Sequence, residues 1–278
     1  MTNLRHILQH KARHQAEAFF TKSTRGQYLG DKKILCQILG DKKFFVMADD
    51  LGFSTHMIMD GFWEYWLTKH FADLIKPGDT VIDIGANLGY YSIIAADLVT
   101  AKGRVVAIEP NPQVCALLAN SLAVNGYAQR AEVLNFALSF SGSSGRLPFF
   151  VPHGEPKNGR FVGEHEDPEF MRQHGQLSEV EVGQLSADKF ERVDFIKIDV
   201  EGAELAVLDH LRPIIQRFRP RIICEVNFAR GYGYDDVAKA FDTDQQLLFL
   251  DFDAEVKPLT REMSVNQRYG EDWLICFG

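Results

Sequence analysis

No apolar run in this chain approaches the length of a membrane span, so a soluble protein is expected and no membrane partner. Cysteine is scarce: Cys36, Cys115, Cys224 and Cys276 are far apart and show no C-x-x-C spacing. They read as buried thiols in a reducing compartment. Positive charge is in deficit, with a formal net charge of −8, which argues against a large phosphate-binding surface and against nucleic acid as a partner. Arg5, His6, His10, Lys11, Arg13 and His14 are scattered among apolar residues near the N-terminus, without the continuous apolar core of a signal peptide, and the expected location is cytoplasmic. A G-x-G-x-x-G fingerprint is also missing, which weakens any reading that seats a pyrophosphate on a helix N-terminus.

What is present is organised around residues 81–91, Val-Ile-Asp-Ile-Gly-Ala-Asn-Leu-Gly-Tyr-Tyr. Val81, Ile82 and Ile84 read as a buried strand, Gly85 and Gly89 as a turn that lets the backbone approach a ligand, and residues 92–96 as a following helix. Asp83 at the end of that strand would repel a phosphate and attract an amine or a sulfonium. An amino-acid-bearing cofactor such as S-adenosylmethionine suits it better than a dinucleotide does. The next strand, Arg104 to Ile108, ends at Glu109-Pro110-Asn111. An acid about 20 residues beyond the glycine turn of a doubly wound sheet accepts two ribose hydroxyls, so Glu109 reads as the ribose clamp.

With 278 residues, 46% of them hydrophobic and 24% charged, the chain suits one large α/β domain with an extension. Residues 1–70 form the extension and 71–278 the cofactor domain. Helical spacing is expected over residues 4–20, packing on the domain or on a partner subunit, which leaves a homo-oligomer open. A ten-residue repeat follows, Leu29-Gly30-Asp31-Lys32-Lys33 and Leu39-Gly40-Asp41-Lys42-Lys43, with each Gly-Asp reading as a hairpin turn and the lysines as polar turn residues without function. Met57 to Leu67 looks helical, with Trp63, Tyr65 and Trp66 mainly as core. Pro112 to Asn125 is a helix closed by Gly126, and Ala131 to Asn135 a third strand leading to Phe136-Ala137-Leu138-Ser139, where adenine is expected. Glycines and prolines interrupt residues 141–176, which read as an irregular, lid-like insertion on the substrate side. Its His153, His165 and His174 lack tight metal-ligand spacing. Gln176 to Leu185 is a strand, as are Val193 to Asp199 and Arg221 to Cys224. A helix through Leu211 follows the first of these two, and Leu247 to Phe252 and Trp273 to Phe277 are an antiparallel pair at the sheet edge.

Three blocks together, residues 81–92, Ala-Ile-Glu-Pro-Asn-Pro at 107–112, and Phe-Ile-Lys-Ile-Asp-Val-Glu-Gly-Ala-Glu at 195–204, resemble the FkbM family of S-adenosylmethionine-dependent methyltransferases. The similarity runs from roughly residue 44 to 226. It implies a doubly wound, Rossmann-like class I methyltransferase sheet, mostly parallel with an antiparallel edge strand. It also implies S-adenosylmethionine as methyl donor. Asp83, Gly85, Asn87 and Gly89 would line the methionine moiety and Glu109 would hold the ribose. Ala86, Tyr90, Pro110, Asn111 and Ala137 complete the expected cofactor contacts. The acceptor class implied is a hydroxyl of a sugar or a secondary metabolite, and the chain carries no Asn-Pro-Pro-aromatic motif of nucleic-acid amino methylases.

Methyl transfer to a neutral hydroxyl needs alignment and a base. Asp199 is the first candidate, with Glu201 or Glu225 as alternatives and Lys197 as tuner. Strand alternation puts Lys197 and Asp199 on one face. Asp199 could instead orient the methionine amine or cap the next helix. A divalent ion at Asp199, Glu225 and Asn227 is conceivable but not expected. The competing readings are a nicotinamide-dependent oxidoreductase and a non-catalytic binding module on the same fold.

Overall fold

The computed structural model describes residues 3–138, 145–163, 166–241, 246–268 and 270–278. Helix α1 (Leu4–His10) starts where Asn3 accepts the His6 N–H, and it buries Leu4, Ile7 and Leu8. The expected single N-terminal helix breaks at extended Lys11 and Ala12, and α2 (Arg13–Ser23) buries Ala16 and Phe20 instead. The reason is the stripe itself. Continued straight, it would bring Lys11 and Gln15 to the core; the break re-aims the chain so that Phe20 goes inside and Phe19 stays at the surface.

Strands β1 (Arg25–Gly30), β2 (Lys33–Ile38) and β3 (Lys42–Met47) form an antiparallel meander. The two repeat copies sit at its two turns. Asp31 and Lys32 both have positive φ, the backbone of the mirror-image two-residue turns that suit strand twist. The helix expected over 57–67 is two helices, α3 (Phe53–Met59) and α4 (Tyr65–Leu74), separated by left-handed Gly61 and Glu64.

Strand β4 (Thr80–Ile84) and helix α5 (Tyr90–Val99) flank the glycine turn, and β5 (Arg104–Ile108) leads into α6 (Pro112–Val124), closed by left-handed Gly126. Strands β6 (Ala131–Leu134) and β7 (Ala137–Leu138) follow. The insertion expected to be irregular is instead built from β8 (Gly145–Pro152), β9 (Arg160–Phe161) and α7 (Pro168–His174). With β10 (Gly175–Gly183) these make a second sheet ordered β7-β10-β8-β9. Pro148 and Pro152 did not prevent the strand because β9 is two residues long and leaves much of β8 at an edge, where proline is tolerated. Ser139 and Gly142, and Glu164 and His165 of the insertion, lie outside the described residues.

Strand β11 (Phe195–Ile198) precedes α8 (Glu204–Phe218), which runs past Pro213 with Leu211 and Ile214 buried on either side of it. Then come β12 (Arg221–Val226), α9 (Tyr234–Ala240), β13 (Leu248–Leu250), β14 (Val256–Pro258), α10 (Arg261–Asn266) and β15 (Trp273–Phe277). The main sheet has the order β14-β13-β15-β12-β11-β4-β5-β6. From β12 to β6 the strands are parallel, and β15 runs antiparallel between β12 and β13. The antiparallel pair is as expected, and β14 adds one strand beyond it. One face packs on α8 and α9. The other face packs on α4, α5, α6 and the N-terminal meander, which share a single core containing Phe44, Phe71, Tyr90 and Ile93. Asn125 on α6 exchanges hydrogen bonds with both backbone groups of Lys43, and Ser121 accepts from Phe45 N, so the helix covers the edge of β3.

Strand order reverses at β4, whose connections leave toward β5 on one side while β11 lies on the other. A crevice therefore opens at the carboxyl ends of β4 and β11.

Candidate active site

The glycine turn is shaped by its neighbours. Gly85 has φ +70°, and a Cβ built there would lie 1.6 Å from the Asp199 carbonyl oxygen. Gly89 has φ +93°, and its Cβ would lie 2.1 Å from Leu118 Cδ1. Both glycines are needed so that β11 and α6 can close on the turn, a packing role beside the tight turn expected of them. Gly85, Ala86, Asn87 and Tyr90 line a cavity of about 670 Å³; Gly89 does not. The N–H groups of the turn are already committed. Gly85 and Ala86 donate to Ile108 O, Asn87 to Glu109 Oε2, Leu88 to Asn87 Oδ1 and Gly89 to Ala86 O. No cradle of free amides from Gly85 to Gly89 awaits a pyrophosphate.

Glu109 ends β5 and is 7% exposed. Its two oxygens accept from Asn87 N at 2.9 Å and Asn111 N at 2.8 Å, which fixes the carboxyl at the cavity wall with lone pairs to spare. Burial pushes it up from 4.5 to about 7, against the pull of those two amides. Pro110 lines the cavity, whereas Asn111 caps α6 by accepting from Gln113 N and is not in the wall. Phe136, Ala137 and Leu138 form an apolar stretch of the same wall.

The register that pairs Lys197 with Asp83 sets an ammonium between two acids. Lys197 Nζ lies 2.9 Å from Asp199 Oδ2, 3.9 Å from Asp83 Oδ1 and 5.2 Å from the centre of the Tyr91 ring. Burial opposes the charge on Lys197, but Asp199, Asp83 and Glu225 outweigh it and hold the ammonium above its usual range. Asp83 is 1% exposed, accepts a 2.6 Å bond from Ser92 Oγ, and leaves Oδ1 without a hydrogen bond among the described residues. It lies beneath the cavity rather than in its wall, so it meets the site through Lys197. The cause is the pleat: Asp83 shares the face of β4 covered by α5.

The remaining acids differ in their partners. Glu201, in left-handed backbone, pairs with Arg230 at 2.6 Å, and Arg230 also reaches buried Glu204 at 3.2 Å. Glu225 at the end of β12 lines the cavity, and among the described residues its carboxyl makes no hydrogen bond or ion pair. Burial, then Asp199, Glu64 and Asp272, push it well above the usual carboxylate range, with Lys197 opposing. Asn227 accepts from Ala229 N and donates to Asp272 and Gly270 O, so its polar atoms serve the following turn and do not converge with Asp199 and Glu225 on a shared ion.

Sequence reasoning missed Glu64, Tyr91 and Arg230. Tyr91 donates a 2.5 Å bond to Glu64 Oε2, and both line the cavity with Trp63 and Trp66. Of the aromatics read mainly as core, Tyr65 is buried, and Trp63 and Trp66 are half-buried, packed on the core with an edge in the cavity wall. Trp66 meets Phe252 edge to face, with ring centres 4.9 Å apart, across the wall between the extension and the end of β13. The insertion adds Phe149, Phe150, Arg160 and Phe161. No local pattern marks Glu64; only the unusual backbone at its position, φ 37°, singles it out.

The model of the methyltransferase FkbM domain matches residues 83–253, more than half of the chain. The chain belongs to this family. Methyltransferase sdnD of Sordaria araneosa is 29% identical over 169 residues, which cover 51% of this chain and 64% of that protein. A protein-L-isoaspartate O-methyltransferase of Aeropyrum pernix is 41% identical over 78 residues, 28% of each. The matched stretches thus span less than two thirds of these relatives. A solved FkbM methyltransferase of Methylobacillus flagellatus KT is 17% identical with a TM-score of 0.45, over 77% of this chain and 53% of that one. The FkbM match begins at Asp83 and so leaves out the N-terminal extension with Trp63, Glu64 and Trp66.

The residues present fit the family's S-adenosylmethionine. A carboxyl with spare lone pairs would suit ribose hydroxyls, an apolar stretch an adenine, and acids grouped around an ammonium a cationic methionine end. Among the described residues, no helix is long and apolar enough to cross a membrane.

Proposed function

We propose that this chain is an S-adenosylmethionine-dependent O-methyltransferase that acts on a hydroxyl of a carbohydrate or secondary metabolite. The observation that carries the reading is the open cavity at the ends of β4, β11 and β12. One part of its wall is a ribose-type acid and an apolar stretch; the other is acids and tryptophans.

The bound donor supplies a methyl group on a positively charged sulfur. Glu109 accepts the ribose hydroxyls, and Ala137 with Phe136 and Leu138 packs on the adenine. Asp199, held by Lys197, receives the methionine amine. Glu225 takes the proton of the acceptor hydroxyl as the new carbon–oxygen bond forms. Asp199 is the weaker choice for that step because its Oδ2 is tied to an ammonium, and Glu201 because it is tied to Arg230. Among the described residues Glu225 has no such partner. The aromatic surfaces of Trp63, Trp66 and Phe252 suit the apolar face of a sugar ring, and alignment of the two reactants supplies most of the acceleration.

The committed amides of the glycine turn speak against a nicotinamide dinucleotide. An exposed, basic nucleic-acid track would be at odds with the net charge of −8 and with the acids at the cavity, which supports a small-molecule acceptor.

The test is incubation with methyl-labelled S-adenosylmethionine and a panel of hydroxylated saccharides and metabolites. The expected product keeps its label in mild alkali, as an ether does. Label released by alkali would mean a carboxyl ester and would overturn the hydroxyl assignment. Glu225→Gln should cut the rate by about 10²–10⁴-fold while S-adenosylhomocysteine still binds.

A further inference from the structure

Phe252, in the turn after β13, is 49% exposed and stands in the cavity wall. An exposed phenylalanine needs no explanation by itself, but this one is held from several directions. Its carbonyl accepts from Arg13 Nη1 of α2 at 2.9 Å, and its amide donates to Asp251 Oδ1 at 2.9 Å. The Trp66 ring meets it edge to face, with centres 4.9 Å apart and planes at 83°. The Arg268 guanidinium lies over its ring, 4.2 Å from the centre. Arg268 is in turn set by an ion pair with Asp251 and by the rings of Trp273 and Phe249, 4.9 and 5.5 Å away. Asp251 also takes Lys257 at 2.8 Å and closes the turn with its amide on Glu255 O, so the segment carrying Phe252 is braced. The charge of Arg268 is answered by Asp251 and does not call for an anionic acceptor.

These contacts build a corner of two aromatic walls, and carboxyls share the cavity with it. Glu64 precedes Trp66 by two residues, and Glu225 ends β12. Strand register brings Asp272 to the same end of the sheet, because the next residue, Trp273, pairs with Val226. A flat phenol carries one or two hydroxyls in the plane of its ring. A sugar ring carries C–H groups on its face and hydroxyls around its rim, which donate in several directions. Aromatic faces beside carboxyl acceptors from three separate elements match the second pattern.

We propose that Trp66 and Phe252 form the subsite for the C–H face of a sugar ring in the acceptor, with Arg268 as a positioning residue that holds Phe252 in place. A ring fixed before the ligand arrives leaves less to be ordered on binding. The proposal rests on the methyltransferase reading above and deepens it. It also assigns acceptor choice to chain that flanks the FkbM match of residues 83–253, since Trp66 precedes that stretch and Arg268 follows it.

The test uses methyl-labelled S-adenosylmethionine with methyl glycosides of hexoses and pentoses as acceptors and catechol as the contrasting phenol. Methylation of at least one glycoside, and not of catechol, is expected. With that glycoside, Phe252→Ala and Trp66→Ala should each raise KM about tenfold or more, with kcat within about threefold and S-adenosylhomocysteine bound as before. Phe252→Tyr keeps the ring and should keep the parental KM. Arg268→Met should raise KM in the same sense and leave kcat, whereas a merely structural loss would lower kcat and S-adenosylhomocysteine affinity together. An unchanged KM in Phe252→Ala overturns the proposal and leaves the methyltransferase reading standing. So does methylation of catechol but of no glycoside, or of neither by protein that binds S-adenosylhomocysteine. Failure of the unaltered protein to bind S-adenosylhomocysteine overturns that reading, and the proposal with it.

Discussion

Glu109 shows how one side chain serves both fold and site. It accepts from the amides on either side of the crevice, at Asn87 and Asn111, and burial pushes it up to about 7. Between its ordinary value and that point the folded chain keeps a proton that the unfolded chain has lost. Ligand-free stability therefore falls as pH rises through this window, and Glu109→Gln should flatten the fall by about 3 kcal/mol in denaturant titrations at several pH values. Binding of S-adenosylhomocysteine should strengthen over the same window, because ribose hydroxyls donate to the ionised form. Lys197 sets the opposite case. Lys197→Met would leave Asp83 buried with no cation and should cost about 3–5 kcal/mol near neutral pH, with part of the loss recovered in acid as Asp83 takes up a proton. Residues such as these were legible where strand position dictates chemistry. Glu109 stands at a strand end, and Lys197 and Asp199 share a face by alternation. Asp83 was legible as an acid in the right strand but not as a buried one, because depth depends on what α5 lays over it. Glu64 was not legible at all, since its role comes from the backbone at a turn and from Tyr91 across the cavity.

At the scale of elements, the tightest joint is between the glycine turn and the end of β11. Gly85→Ala would drive a methyl into the Asp199 carbonyl in a backbone region that favours glycine. The expected cost is more than about 3 kcal/mol of stability, read from denaturant midpoints, together with loss of donor binding. A variant as stable as the parent would mean that this joint is looser than described. The apolar character of β4, β5, β11 and β12 identified these strands, because buried parallel strands are largely continuous apolar runs. The insertion was read as irregular because glycine and proline were taken at face value. Its second sheet depends on β10 supplying a long partner to β8, a pairing across more than twenty residues that local pattern does not report. The break between α3 and α4 was missed for a related reason: Gly61 sits where a Cβ would meet Thr24 at 2.9 Å, a contact from a distant part of the chain.

For the whole molecule, the N-terminal extension and the sheet share one hydrophobic core. Phe44 of β3 is fully buried and meets Phe53 and Tyr90 edge to face, so the extension is stitched to the helix that follows the glycine turn. Phe44→Ala should cost about 3–5 kcal/mol and shift a single unfolding transition seen by both tryptophan fluorescence and circular dichroism. Two separate transitions would contradict a shared core. The same continuity explains how a segment outside the FkbM match brings Trp63, Glu64 and Trp66 to the cavity wall. The central claim is that the crevice at the ends of β4 and β11 takes the methyl donor. It is tested most directly by calorimetric titration with S-adenosylhomocysteine, with NADH as comparison and Glu109→Ala as the second protein. The account predicts binding of S-adenosylhomocysteine alone, weakened about tenfold to a hundredfold in the variant. Binding of NADH instead, or unchanged affinity in Glu109→Ala, would contradict it.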